Sequence, residues 1–333
     1  EIAWSPVDMQ WGFGFINNRV NFDFYDVGQE GLTGLSFNRD YRNGVKLHVF
    51  GSVLYLPELN PALDIDSEKG TITSGSAWAK PPASSTRIND EDIPIKYKVE
   101  MPQISEIVLR PSAGASLSYQ TEHFKYEVFY LKKPENKITI GAEVLYVNQQ
   151  ESVFVNAKPQ VYYHNVLGAN LVYTNGKTQM YAASLSNIPD TYPDGNQVVT
   201  DYTKIETEKI REDYIALGFN RGSDKFNYSL NYIARVSEYD KKDDILAQNP
   251  RWSQAVNLRV SSILNRFLSA SADLKFDTIT KDRIFMMQAD YNFNRNMRLS
   301  AGLRLIGAQD GEKTYWSDFV ANDAMFSKLT YVF

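Results

Sequence analysis

Three histidines, a scattered set of basic residues and one acidic stretch are what this 333-residue chain offers for chemistry. His48, His123 and His164 are its candidate general bases. Hydrolysis by a serine nucleophile needs such a base held between the hydroxyl and an orienting acid. No Ser-x-Ser or Asp-His signature surrounds any of the three, so no enzyme is expected and no catalytic residue is assigned. The chain has no cysteine, which removes disulfides, thiolate metal ligands and a thiol nucleophile. Asp64-Ile65-Asp66-Ser67-Glu68-Lys69-Gly70 spaces its carboxylates as a hard cation would require. Its glycine falls one position late for a calcium loop and no closing bidentate Glu follows. It reads as a solvated acidic turn, and neither a metal nor a cofactor is expected.

The formal net charge is −5 with both signs interspersed, unlike the basic footprint of a nucleic-acid partner. Mean hydropathy is −0.39, and no run of about 18 apolar residues is present to form a membrane helix. Low hydropathy also suits a barrel, where only every second residue of a strand meets lipid. Glu1-Ile2-Ala3-Trp4 has neither the charged nor the apolar region of a secretion signal, so a cleaved signal is expected.

The elements that position these side chains are strands. Leu268, Ala270, Ala272, Leu274 and Phe276 alternate with Ser269, Ser271, Asp273, Lys275 and Asp277. The same period of two runs through Phe226–Val236, Phe285–Phe293 and Leu299–Leu305, and upstream through Phe124–Tyr130 and Val45–Tyr55. Such alternation gives one apolar and one polar face over the ~9–11 residues that a tilted strand needs to cross a bilayer. Tight turns at Arg42–Gly44, Asn175–Lys177, Gly222–Lys225, Asn265–Arg266 and Asn294–Asn296 interleave with long polar connections. Aromatics gather beside those turns, among them Tyr119, Phe124, Tyr126, Tyr173, Phe219, Phe226, Tyr228, Tyr291 and Phe293. A ring at the headgroup boundary explains that clustering, whereas a soluble sandwich does not.

The last strand carries Leu329, Tyr331 and Phe333 on one face. This resembles the C-terminal signature of bacterial outer-membrane β-barrel proteins, the strand that the barrel assembly machinery reads. The resemblance implies an all-β, antiparallel, up-and-down transmembrane barrel of the porin-like kind, in the cell outer membrane against phospholipid and lipopolysaccharide. The alternation gives about sixteen strands, or fourteen if elements within Lys137–Asn165 merge. Residues 18–333 form the barrel, and the first strand spans Arg19–Val27. Residues 1–17 form a periplasmic lead-in or a segment in the lumen. Residues 57–102 form a long extracellular or constriction loop.

Alternation turns Lys46, Arg110, Arg235, Arg259, Lys275, Arg298 and Arg304 inward as a basic pore lining. Asp64, Asp66, Glu68, Asp90, Glu91 and Asp92 lie on the long loop. Folded inward, that loop would set acids against the basic wall, as the inserted loop of general porins does. It follows an earlier strand than theirs and lacks their constriction motif. Two functions follow. One is a porin-like channel for passive diffusion of small hydrophilic solutes. The other is a non-conducting scaffold barrel that holds a lipoprotein or a secretion or envelope partner. Besides the assembly machinery, a homo-oligomer or an envelope protein is the expected partner.

Overall fold

The computed structural model describes residues 4–20, 25, 28–79, 81–88, 90–146, 152–191, 197–199, 202–205, 209–237 and 249–332. Thirteen of its strands form one antiparallel sheet. They are β1 (Leu35–Asp40), β2 (Val45–Ser52), β3 (Ser112–Gln120), β4 (Phe124–Pro134), β5 (Tyr163–Asn175), β6 (Thr178–Pro189) and β7 (Glu212–Gly222). There follow β8 (Phe226–Arg235), β9 (Gln254–Ile263), β10 (Leu268–Asp277), β11 (Arg283–Asn292), β12 (Met297–Gly307) and β13 (Ala324–Tyr331). Each pairs only with its neighbours in the chain, so the sheet is a plain meander. Turns such as that at Gly176, whose φ of 56° suits a residue without Cβ, lie at one end; the long connections lie at the other.

The faces of this sheet are reversed relative to a water-soluble one. Leu217 and Leu230 on the apolar face are 52% and 50% exposed, whereas Asn231 and Asn257 on the polar face are 1% and 0%. At the tight-turn end the exposed face carries ring pairs between adjacent strands: Phe124 with Tyr173 at 5.0 Å, Phe219 with Tyr228 at 5.8 Å and Tyr119 with Tyr126 at 6.4 Å.

The polar face is concave. Trp4 donates from Nε1 to His48 Nδ1 on β2 at 2.8 Å, and the carbonyl of Gln10 accepts from Lys275 Nζ on β10 at 3.3 Å. Strands β2 and β10 stand eight steps apart in the sheet, about 38 Å along it at ~4.8 Å per step. Residues 4–10 cover only about 10 Å, being largely helical. Even with both side chains extended, one short segment spans those strands only because the sheet is rolled around it. Close approach helps the rolling: Tyr181 lies across Gly218, where an added Cβ would fall 1.9 Å from its ring.

Thirteen strands rather than about sixteen make this sheet among the described residues. The difference lies in Lys137–Asn165, whose strands Thr139–Tyr146 and Val153–Gln160 belong to a second sheet of six. There Val153–Gln160 pairs in parallel with Glu91–Val99 of the long loop, and Thr139–Tyr146 pairs with Tyr202–Ile205 from another connection. The connections thus satisfy one another's backbone groups, without entering the main sheet. Much of the expected first strand, Arg19–Val27, lies outside the described residues; Asn18–Val20 pairs with Gly28–Glu30 and not with β1. Among the described residues no ladder joins β1 to β13.

Candidate functional site: the occupied interior

Residues 4–17 fold into a compact knot inside the rolled sheet. Ser5 caps the helix α1 (Pro6–Trp11), its Oγ accepting from the Asp8 backbone N–H, and Pro6 suits the first helical position. Gly12, in the left-handed region, ends the helix. The Asp8 carboxylate then accepts from the backbone N–H groups of Phe15 at 2.8 Å and Ile16 at 3.2 Å, which turns the chain back on itself. Burial raises the pKa of this carboxyl, and those two N–H groups oppose the rise.

The knot is tied to strands on every side. Asn170 on β5 donates to the Trp4 carbonyl, and Gln10 donates to Asn257 Oδ1 on β9 at 2.7 Å. Asn136 donates to the carbonyls of Gly14 and Asn17, and Arg251 donates to that of Gly12 at 2.7 Å. Val7, Trp11, Phe13 and Ile16 are buried in one cluster with Leu131, Val166, Leu185, Tyr214 and Ile233 of the wall. Phe13 lies 4.5 Å from Tyr214, Trp11 lies 5.8 Å from Trp252, and Trp252 lies 5.4 Å from Trp316. Arg251 stacks on Trp316 at 4.9 Å, and burial lowers its pKa to about 10.

The seven basic residues assigned inward by alternation do not form a ring. Arg110 is not on the sheet at all. Pro111 separates it from β3, and its Nε donates to the Glu106 carbonyl at 2.7 Å in the short helix Ile104–Val108. Arg235, at the long-loop end of β8, donates to Ser237 Oγ and to the Arg211 carbonyl. Lys275 holds the knot, and Arg304 lies over Tyr25 and Phe326 at 5.5 and 4.4 Å. Lys46 and Arg298 are exposed toward the tight-turn end. Arg259 projects inward with its side chain 63% exposed, and Asp273 is its ion-pair partner at 3.9 Å.

The acids assigned to a constriction occupy other ground. Asp64 and Asp66 belong to the hairpin Asp64–Asp66/Thr71–Thr73, with Glu68 exposed in its turn; Asp90, Glu91 and Asp92 are exposed in the hairpin Ser85–Ile88/Glu91–Val99. Asp66 pairs with Lys69 at 3.1 Å and Asp90 with Arg87 at 3.5 Å. What faces the inner wall is the N-terminal knot. Of the long loop, Trp78 comes nearest the core, 5.5 Å from Tyr25 and 5.7 Å from Phe319. Leu329 and Tyr331 are exposed on the outer face of β13; Phe333 lies outside the described residues. His48 and His164 serve as hydrogen-bond partners, to Trp4 and to Asn187 at 2.6 Å.

Below the knot, toward the tight turns, the interior is open. One cavity of about 400 Å3 lies along β5–β9, and a second of about 190 Å3 lies along β9–β13. Arg259 lines both.

The described strands thus make a rolled antiparallel meander with its apolar face outward. Among solved structures the chain is similar to two mutants of Rhodopseudomonas blastica porin. One is 12% identical with a TM-score of 0.40, over 92% of this chain and 78% of the porin. The other is also 12% identical with a TM-score of 0.38, over 85% and 74%. No family model and no curated protein matches the sequence.

Proposed function

We propose that the sheet closes into an outer-membrane barrel of a Gram-negative cell, forming a channel for small hydrophilic solutes that residues 4–17 hold shut. The reversed faces carry this reading. Exposed Leu117, Val128, Leu217, Leu230 and Leu258 beside buried Ser116, Asn170, Asn231 and Asn257 make sense if the outer solvent is hydrocarbon. In lipid, open sheet edges are untenable, so β1 and β13 must be joined in a closed wall. Bacterial barrels have even strand numbers, and fourteen is the smallest even number that keeps all thirteen strands of the main sheet. The tight turns and their aromatic belt then face the periplasm, and the second sheet stands outside the cell. Lipopolysaccharide and phospholipid are the expected surroundings, and the assembly machinery the expected reader of the last strand.

The knot itself favours a second reading. An interior closed by wall bonds to Trp4, Gln10 and Gly12 also suits a scaffold barrel that conducts nothing and holds an envelope partner. Planar-bilayer recording separates the two. The intact protein should show rare, small openings, and deletion of residues 4–17 should give a stable conductance several times larger. A deletion variant that still migrates as a heat-modifiable barrel yet stays silent would overturn the channel reading and leave the scaffold.

A further inference from the structure

We propose that the open half of the interior holds a binding station for a small hydroxylated solute bearing one carboxylate, centred on Arg259. This rests on that half being water-filled, as the channel reading has it.

The station is a row set by strand register. Thr174 on β5 pairs with Gln179 on β6, Gln179 with Asn220 on β7, Asn220 with Ser229 on β8, Ser229 with Arg259 on β9, and Arg259 with Asp273 on β10. Register partners share a face, so all six side chains stand on the inner wall about 4.8 Å apart. Next to it toward the turns runs a second row, in which Asn227, Ser261, Ser271 and Gln288 are successive partners on β8–β11. Amides and hydroxyls both donate and accept, which is what a polyol needs from its walls. A cavity of about 400 Å3 falls within the ~300–1,000 Å3 of small-molecule sites.

The charge lining the larger cavity is one-sided, and Asp273 at the end of the row lies outside it. Lys177 and Arg259 line the larger cavity and no acid does, although Lys177 is bonded to Asp224 on the neighbouring turn, and Arg221 stands on the outer face with Tyr228. Arg259 offers a planar fork of donors that matches a carboxylate in two hydrogen bonds. Its partner Asp273 is a weak competitor: it sits at 3.9 Å and is already committed to Asn257, whose Nδ2 donates to it at 2.6 Å. Asn257 is also the next inward residue of β9 and accepts from Gln10 of the knot. The station therefore lies directly beneath the segment that closes the interior.

Calorimetric titration of the intact protein in detergent tests this without any need for conduction. The probes are glucuronate, glucose and glucosamine. Glucuronate should bind saturably in the millimolar range, glucose about tenfold more weakly, and glucosamine not measurably. Arg259→Gln should weaken glucuronate about tenfold, and Asp273→Asn should strengthen it about twofold at most, by removing a weak competitor. Arg235→Gln, at the other end of β8, should change nothing. Glucuronate binding that survives Arg259→Gln in a heat-modifiable, folded barrel would overturn the proposal, as would equal binding of glucose or no saturable binding of glucuronate. None of these outcomes alters what conductance says about the channel itself.

Discussion

The two halves of the interior are built from the same strands and differ in the side chains those strands turn inward. Toward the long connections the inner positions are Leu131, Val166, Leu185, Tyr214, Ile233, Ala255, Ile284 and Ile306, all buried. Toward the tight turns they are Thr174, Gln179, Asn220, Asn227, Ser261 and Ser271, none of them fully buried. The change comes part way along single strands: on β7, Tyr214 and Ala216 give way to Asn220, and on β8, Ile233 gives way to Ser229. The first half is a core whose inner face is buried against the N-terminal knot, while its apolar outer face stays exposed. The second half is a wall facing water. One strand can therefore pack its inner face into a core at one end and line an open interior with the same face at the other.

Charge substitutions along β6 and β7 should sharpen this comparison most. Leu217→Arg, on the outer face, should destabilise the folded barrel by about 2–4 kcal/mol near mid-membrane. Leu185→Arg, under the knot, should do comparable damage by burying an unpaired charge. Asn220→Arg, in the open half, should be nearly silent. The folded fraction in a urea series on SDS gels reads all three. Sensitivity at Asn220 equal to that at Leu185 would erase the distinction between the halves.

A smaller effect is expected within the knot. Asp8→Ala leaves the Phe15 and Ile16 N–H groups without their acceptor, at a cost of roughly 1–3 kcal/mol for each buried orphan. Because the barrel wall does not depend on that carboxylate, the damage should be local. Trypsin should cut at Arg19 faster in the variant, while heat-modifiable migration is unchanged. Loss of the barrel itself would show the knot to be essential to the wall.

The smallest expected effect lies outside the wall, in the turn between β10 and β11. Asp282 accepts from Thr314 Oγ1 at 2.7 Å and Thr280 Oγ1 at 2.9 Å, and burial raises its pKa to about 6. Its folded pKa thus exceeds the unfolded value of about 3.9. The native state binds the proton more tightly, so the contact between this turn and residues 308–323 is strongest below about pH 4. It weakens as pH rises through 6. Hydrogen exchange of residues 308–323 should quicken over that interval, and Asp282→Asn should flatten the response.

Much of the outer face and the meander could be read in the sequence, because alternation in Leu268–Asp277 or Leu299–Leu305 depends only on local period. The knot could not be read that way, although a signal for it exists. Tyr214-Ile215-Ala216-Leu217 and Ile284-Phe285-Met286-Met287 are unbroken apolar runs, the mark of a strand covered on both faces. Reading only their alternate residues hides the second buried face and with it the need for something inside. The second sheet left less trace, since its parallel pairing of Glu91–Val99 with Val153–Gln160 joins distant segments. Arg110 was beyond reach of alternation for a simpler reason: the strand it would extend begins after Pro111.

The bonds that seat the knot reach very far along the chain. Gln10 and Asn257 are 247 residues apart, and Gln10 and Lys275 are 265, whereas the widest rung of the meander, Val45 with Tyr119, joins residues 74 apart. Contacts so distant form late, after hairpins that need only local loop closure. The wall up to β10 should therefore assemble before residues 4–10 find their place against it. A rolled sheet with its interior still empty is then the expected intermediate, and refolding into detergent should show two phases: strand pairing first, then quenching or shifting of the fluorescence of Trp4 and Trp11 as they dock.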